Sequence, residues 1–429
     1  MGDGGYKPYD NRNMEKPLSN CEAFMTLLKC VIGTGILSMP LAFKYSGTVG
    51  GVVMTILCTA LVIYGMQLLI KCMVESSRRN KVGYMNFPDT MVFSFSVGPK
   101  CCRYISEGVG CLVDIILCIA HYGYNVVYHV FVAIHFKELS DIYITSSDLR
   151  VVCAIVGLLC LPLFLVRQLK YLVPFSIIAN VLIYLSLCAI CYYMIKGLPS
   201  LGEKRMLPLN ALDVPIFVGI VMFATSSVGV MLAVEAKMAK PALYLGWHGI
   251  LSLCALFVCI TNIIFGFLGY WRYGDNIAAS VTINLPAQDI IAQLTKLGIA
   301  FAVYFTYPLS GYVPIEIIIN HYLNKNNQLK HPHMIEYILR IAFVILVTLN
   351  AIAFPNLGPL VALVGAFSIS LLNLIFPCCI EICLLYHDSY GRLRWKLFKN
   401  ILMIIFGTFV LCYGSYGAIR DMIQDYSCK

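Results

Sequence analysis

The sequence predicts an all-α integral membrane protein whose first and sixth helices are broken at matching depth, and three observations carry that prediction. Of 429 residues, 59% are hydrophobic and 12% are charged, against roughly 25% charged in a soluble domain. Apolar runs of about 20 residues, long enough to span a bilayer, recur along the whole chain. Two of them, 21–45 and 214–234, are interrupted by Ile32-Gly33-Thr34-Gly35-Ile36 and by Ala224-Thr225-Ser226-Ser227-Val228-Gly229.

Eleven spans follow in order: 21–45, 49–72, 109–137, 150–166, 172–195, 214–234, 243–270, 290–320, 334–354, 357–385 and 398–419. Each is continuously apolar, whereas the strands of a membrane barrel alternate, so these segments satisfy their backbone groups as helices. Residues 1–20 are polar and lack an apolar core, which predicts a tail without a cleaved signal, the first span directing insertion. The longest loop, 73–108, carries the turn signals Phe87-Pro88-Asp89 and Gly98-Pro99. Residues 196–213 hold Gly197, Pro199, Gly202 and Pro208 and read as an irregular connector. It separates spans one to five from spans six to ten, and a broken helix opening each half is the pattern of an inverted repeat. The expected organisation is a cytosolic tail over 1–20, an eleven-helix transporter domain over 21–421 and a short exoplasmic tail over 422–429.

The net charge of +9 is no nucleic-acid signal, because the basic residues sit in short loops where they orient the spans. With the amino terminus in the cytosol, the inside loops hold Arg78, Arg79, Lys81, Lys100 and Arg103, then Arg167 and Lys170, Lys237 and Lys240, Lys325 and Lys330, and Arg392, Arg394, Lys396 and Lys399. An odd number of spans places the carboxyl terminus on the exoplasmic side. Nearly all of the 19 cysteines fall within spans, where Cys behaves as a small apolar side chain, and no structural disulfide is expected. His331-Pro332-His333 lacks ligand partners at metal-binding spacing and reads as a solvated turn. Phosphate loops, nucleophile elbows and His-Glu-x-x-His helices are absent, so the sequence argues against an enzyme. Its partners are the lipid bilayer and a small molecule, and no feature fixes an oligomeric state.

A helix interrupted inside a bilayer exposes amides and carbonyls that lipid cannot satisfy, so a break persists only where it lines a cavity or holds a ligand. Two breaks, one per half, predict a secondary transporter with its substrate near the midplane. At the first, Gly33 and Gly35 let the backbone unwind around Ile32 and Thr34, and free amides at the start of a half-helix favour a carboxylate. At the second, the carbonyls from Phe223 to Ser226 would accept from an ammonium group, with the hydroxyls of Thr225, Ser226 and Ser227 beside them. A zwitterion suits both. In the competing reading, Gly33, Gly35 and Gly229 only let helices pack closely.

Ionisable groups within spans are functional candidates by default. Asp114 and His121 in the third span lie nearest the bilayer centre and are the candidates for ion coupling. They share a face with Tyr124 and Tyr128, yet seven residues separate them, about 10 Å along the axis, too far for a direct bond. His129 and His135 read as interfacial or hydrogen-bonded. Lys29, Glu235, Glu316 and Glu381 lie nearer the ends, where snorkelling or helix-end pairing accounts for them.

The run Leu28-Lys29-Cys30-Val31-Ile32-Gly33-Thr34-Gly35-Ile36-Leu37-Ser38-Met39-Pro40-Leu41-Ala42-Phe43-Lys44 resembles the first-span signature of the proton-coupled amino acid transporters. These belong to the amino acid/auxin permease family of the amino acid-polyamine-organocation superfamily. Glu235 with Met238 and Pro241, the loop with Tyr273-Gly274, Ser280-Val281-Thr282 and Asn284-Leu285-Pro286, and the stretch Tyr312-Val313-Pro314-Ile315-Glu316-Ile317-Ile318 are similar to the end of that family's sixth span, the loop after its seventh, and its eighth. The resemblance runs from about residue 20 to residue 421. It implies a leucine-transporter-like fold, a 5+5 inverted repeat plus an eleventh helix, carrying small amino acids with protons and no other cofactor, in a plasma or lysosomal membrane. Thr26 stands where one branch of the family has a proton-linked histidine, and Ser226 where an acidic residue is common. These departures and the 73–108 tract leave room for the alternative of a membrane amino acid sensor with a permease fold and little flux.

Overall fold

The computed structural model describes residues 6–12, 17–144, 146–167, 173–200, 205–208, 213–225, 228–323 and 331–427. Among them, nine helices are long and apolar enough to cross a membrane, a bent pair makes a further span, and the shorter apolar helix Leu149–Phe164 fills the remaining position.

Ser19 caps α1 (Asn20–Val31): its Oγ accepts from Glu22 N at 3.3 Å while Glu22 Oε2 accepts from Ser19 N at 2.8 Å, so two orphan amides are satisfied reciprocally. Helical geometry stops at Ile32 and Gly33, and α2 (Thr34–Ser46) resumes with its axis turned by 54°. Gly47, at φ +76°, makes the turn into α3 (Thr48–Arg79). A side chain would be strained there, and its Cβ would lie 2.6 Å from Leu207 N in the connector.

The tract 73–108 is not the loop its turn signals suggested. α3 continues to Arg79, and α4 (Phe87–Val97) and α5 (Lys100–Tyr104) follow. Asn86 caps α4 by accepting from Asp89 N at 2.8 Å, Pro88 sits in its first turn and Gly98 ends it. The same Pro and Gly that punctuate a loop also start and stop a helix, and here buried Phe87, Met91 and Phe95 decide the outcome by packing α4 inward. α6 (Ser106–Tyr143), α7 (Leu149–Phe164) and α8 (Val173–Ile195) complete the first half.

In the second half, α9 (Asp213–Thr225) and α10 (Val228–Lys237) occupy the sixth span. Ser226 and Ser227, the centre of the expected second break, lie outside the described residues. α9 is buried along its whole length from Pro215 and packs on α2. α11 (Ile250–Tyr273) starts later than the apolar run from Leu243 suggested: Gly246, at φ +99°, breaks the backbone, and Gly249 caps the helix. α12 (Ile290–Ile317) runs alongside α6 and ends in a π-helical turn, Ile318–Leu323. α13 (Pro332–Ala353) follows, then α14 (Leu357–Val364) and α15 (Phe376–Leu384), joined by the π-helical stretch Gly365–Ile375. α16 (Trp395–Phe409) and α17 (Ser415–Ser427) form the last span, and the helix continues to residue 427.

Residues 6–12 lie over the end of the bundle from which α1 starts. Arg12 Nη2 pairs with Glu235 Oε1 at 3.0 Å, with side chains 5% and 1% exposed, and Arg12 Nε donates to Gly83 O at 3.2 Å. Leu18 N donates to Lys237 O at 2.8 Å and Ala239 N to Leu18 O at 2.9 Å. The amino-terminal strap, the α3–α4 turn and the end of α10 are thereby tied together on one side of the bundle.

Candidate functional site

The bend between α1 and α2 opens onto a cavity of about 160 Å³ walled by the two half-helices and by α6, α8, α9, α10 and α12. Ile32, Gly33, Thr34, Gly35 and Phe223 line it, and so does His121. α2 begins here with amides that have no acceptor one turn earlier, and its dipole adds positive potential at the same point. Lys29 is also part of the wall, and no carboxylate is present among the described lining residues.

The three glycines of the two expected breaks serve different ends. A Cβ on Gly33 would meet nothing within 4 Å, so this position faces open space. A Cβ on Gly35 would lie 2.5 Å from Ala224 Cα, so this glycine permits the close crossing of α2 and α9. One on Gly229 would come within 3.1 Å of His121 Nε2. Packing explains Gly35, and the cavity explains Gly33.

On the opposite wall, Phe223 packs on Tyr124 with ring centroids 5.1 Å apart, and Tyr124 meets His121 edge-on at 5.8 Å. His121 Nδ1 lies 3.4 Å from Ser310 Oγ. Tyr128 also lines the cavity, as its place on the α6 face predicted. Thr225 is buried outside the lining, and its hydroxyl donates to Val221 O at 2.6 Å. Thr26 likewise turns its hydroxyl to its own helix, donating to Glu22 O at 2.7 Å. Ser226 and Ser227 are outside the described residues.

The structure separates the two coupling candidates. Asp114 lines another cavity, of about 220 Å³, where its Oδ2 accepts from His321 Nδ1 at 3.0 Å and Tyr322 OH at 3.0 Å. His129, His135 and Glu381 are held in place. His129 Nε2 donates to Cys153 O at 2.9 Å. His135 Nδ1 donates to Phe131 O at 2.9 Å, which leaves Nε2 to accept from Thr282 Oγ1 at 2.7 Å. Glu381 Oε2 accepts from Lys399 at 2.8 Å and Asn400 at 2.7 Å, a helix-end pairing.

Sequence reasoning missed Asn180, Thr306 and Ser310, which line the substrate-sized cavity, and read Lys29 as a snorkelling residue. A signal existed for two of them. Thr306 and Ser310 are small polar residues four apart in an apolar span, hence on one face.

Residues 16–420 match the family described as transmembrane amino acid transporter protein. The chain belongs to that family. It is 34% identical over 423 residues to the Drosophila melanogaster protein named proton-coupled amino acid transporter-like protein pathetic, covering 98% of this chain and 89% of that one. With the Caenorhabditis elegans probable amino acid transporter skat-1 the identity is 24% over 427 residues, covering 94% of this chain and 90% of its relative. Among solved structures, Mhp1, a nucleobase-cation-symport-1 family transporter in a closed conformation with bromovinylhydantoin bound, superposes with a TM-score of 0.53 at 14% identity, over 97% of this chain and 93% of that one. That likeness concerns the fold, which is leucine-transporter-like. The chain is a membrane transporter of the amino acid class and not an enzyme.

Proposed function

We propose that the protein is a secondary active transporter of small amino acids that couples uptake to protons by alternating access, with the substrate held where the first and sixth spans break. The observation that carries this reading is Gly33, open to a cavity flanked by the free amides of α2 and by Lys29. A carboxylate has donors there, and the aromatic wall of Tyr124 and Phe223 limits the side chain to a small one. Uptake of a panel of amino acids into liposomes at external pH 5.5 and 7.5, with binding measured on the same protein, tests it. Binding without uptake would establish the sensor instead.

His121 is the coupling candidate inside this cavity. Charge on a buried imidazole needs water or a partner, so its proton enters when the cavity opens. Imidazole, with an unperturbed pKa of about 6.5, changes charge between cytosol and an acidic compartment. His121→Gln keeps hydrogen bonding but cannot titrate, and it is expected to transport without acid stimulation. Stimulation equal to wild type would remove His121 from the coupling step.

The proposed orientation has the amino terminus in the cytosol and the carboxyl terminus outside, in a plasma or lysosomal membrane, because the Lys/Arg bias sets it. For protein at the cell surface, with the other cysteines replaced, a membrane-impermeant thiol reagent is expected to label Cys428, a residue outside the described set. Labelling only after permeabilisation would mean a span count off by one.

A further inference from the structure

Asp114 carries a carboxylate oxygen whose surroundings are incomplete. Its side chain is 7% exposed. His321 and Tyr322 both reach Oδ2, which neighbours in sequence do here from the widened π-helical turn at the end of α12. Oδ1 has no hydrogen-bond partner. Oδ1 is enclosed, and a buried carboxylate oxygen without a donor is costly, so the site suits a cationic donor that reaches it when the cavity opens. Among the described residues no group of three His, Cys, Asp or Glu could hold a metal ion. An ammonium group, with three donors and a charge, matches a carboxylate well.

The location indicates which ammonium. Val313 lines both this cavity and the one at Gly33. On α12 it lies one turn from Ser310, toward exposed Glu316, which lines the Asp114 cavity together with Asn86 and Asn320. A zwitterion beside Gly33 meets Lys29 and no carboxylate among the described lining residues; the first carboxylates beyond Val313 are Asp114 and Glu316. Asp114 is also nearer the end of α6 that shares a side with the amino-terminal strap.

The geometry points to a second, transient site at Asp114 for the substrate's ammonium group, on the Glu316 side of Val313, so that this carboxylate draws the amino acid out of the first cavity. The identity of that ammonium rests on the amino acid transport reading above; the cation site itself does not.

The probe is n-propylammonium chloride, which lacks a carboxylate, and the readout is thermal unfolding of the purified full-length protein at pH 7.5 against equal potassium chloride. Wild type is expected to be stabilised saturably, Gly33→Leu likewise, and Asp114→Asn to need at least about tenfold more probe, a factor worth about 1.4 kcal/mol. Glu316→Gln, at an exposed position, is expected to weaken the response several-fold and keeps the test decisive if Asp114→Asn does not fold. No stabilisation of wild type, or equal stabilisation of Asp114→Asn, overturns the site. Stabilisation by acid alone, absent in Asp114→Asn and without any response to propylammonium, would assign Asp114 to a proton and overturn the ammonium assignment. Propylammonium acting where alanine and other small amino acids do not would sink the transport reading and leave the site standing.

Discussion

Gly33→Leu is expected to abolish amino acid binding in a protein that still folds and inserts, weakening affinity by at least about a hundredfold, or roughly 2.7 kcal/mol. The φ at Gly33 is −143°, outside the left-handed region reserved for glycine, and its Cβ would meet nothing within 4 Å. The leucine side chain therefore has room to enter, and its isobutyl group occupies the cavity where the substrate carboxylate meets the amides of α2. Gly35→Ala is expected to act differently. Its Cβ lies 2.5 Å from Ala224 Cα, and overpacking of that kind costs about 1–3 kcal/mol, so the loss appears in stability before binding. Gly65 in the second span is unsuitable as a reference, since a Cβ there would fall on the Asn373 carbonyl. Gly108→Leu serves, because that site is exposed and open. Substrate-dependent thermal stabilisation is the measurement, and its persistence in Gly33→Leu would move the binding point away from the first break.

The contrast between Gly33 and Gly35 shows what a sequence can and cannot say about such a site. Apolar run length is a one-dimensional property, so the spans and the interruption at Ile32-Gly33 were legible. So was the α6 face that brings His121, Tyr124 and Tyr128 together, because helical spacing fixes it. Whether a glycine opens onto a cavity or onto another helix depends on what crosses it, and Ala224 lies nearly two hundred residues away from Gly35 in the chain. That Asp114 and His121 go to different cavities was hidden for the same reason: their shared face is local, whereas the partners that separate them, His321, Tyr322 and Ser310, come from α12 and its π-helical end. In the 73–108 tract, Pro88 and Gly98 mark a boundary without saying what lies between, and burial of Phe87, Met91 and Phe95 made it a helix.

Arg12→Ala is expected to loosen the amino-terminal side of the bundle. Arg12 is held between the rings of Tyr9 at 4.8 Å and Tyr84 at 5.0 Å. Burial, with the Glu235 carboxylate adding to it, pushes both phenols up to about 12, so they face the guanidinium as neutral rings, the state suited to a cation–π contact. Removing the arginine leaves Glu235, 1% exposed, as a buried carboxylate without its counter-charge. Breaking one side of such a pair costs about 3–5 kcal/mol, and the protein has two ways to lower that cost. It can unfold more readily, or it can expose Glu235 by letting the strap and α1 swing away from α10, which opens the route past Val313. Both are measurable: the Tm falls, and a cysteine at position 310, in a background without other reactive cysteines, reacts faster with a thiol reagent applied from the amino-terminal side. The pairing of Leu18 with Lys237 and Ala239 still anchors the strap, so opening is partial. Arg12→Ala combined with Glu235→Gln separates the charge from the contact, because the double variant has no buried ion to desolvate and is expected to regain most of the lost Tm. Unchanged Tm and unchanged labelling in Arg12→Ala would reduce the Arg12–Glu235 pair to a contact without mechanical consequence.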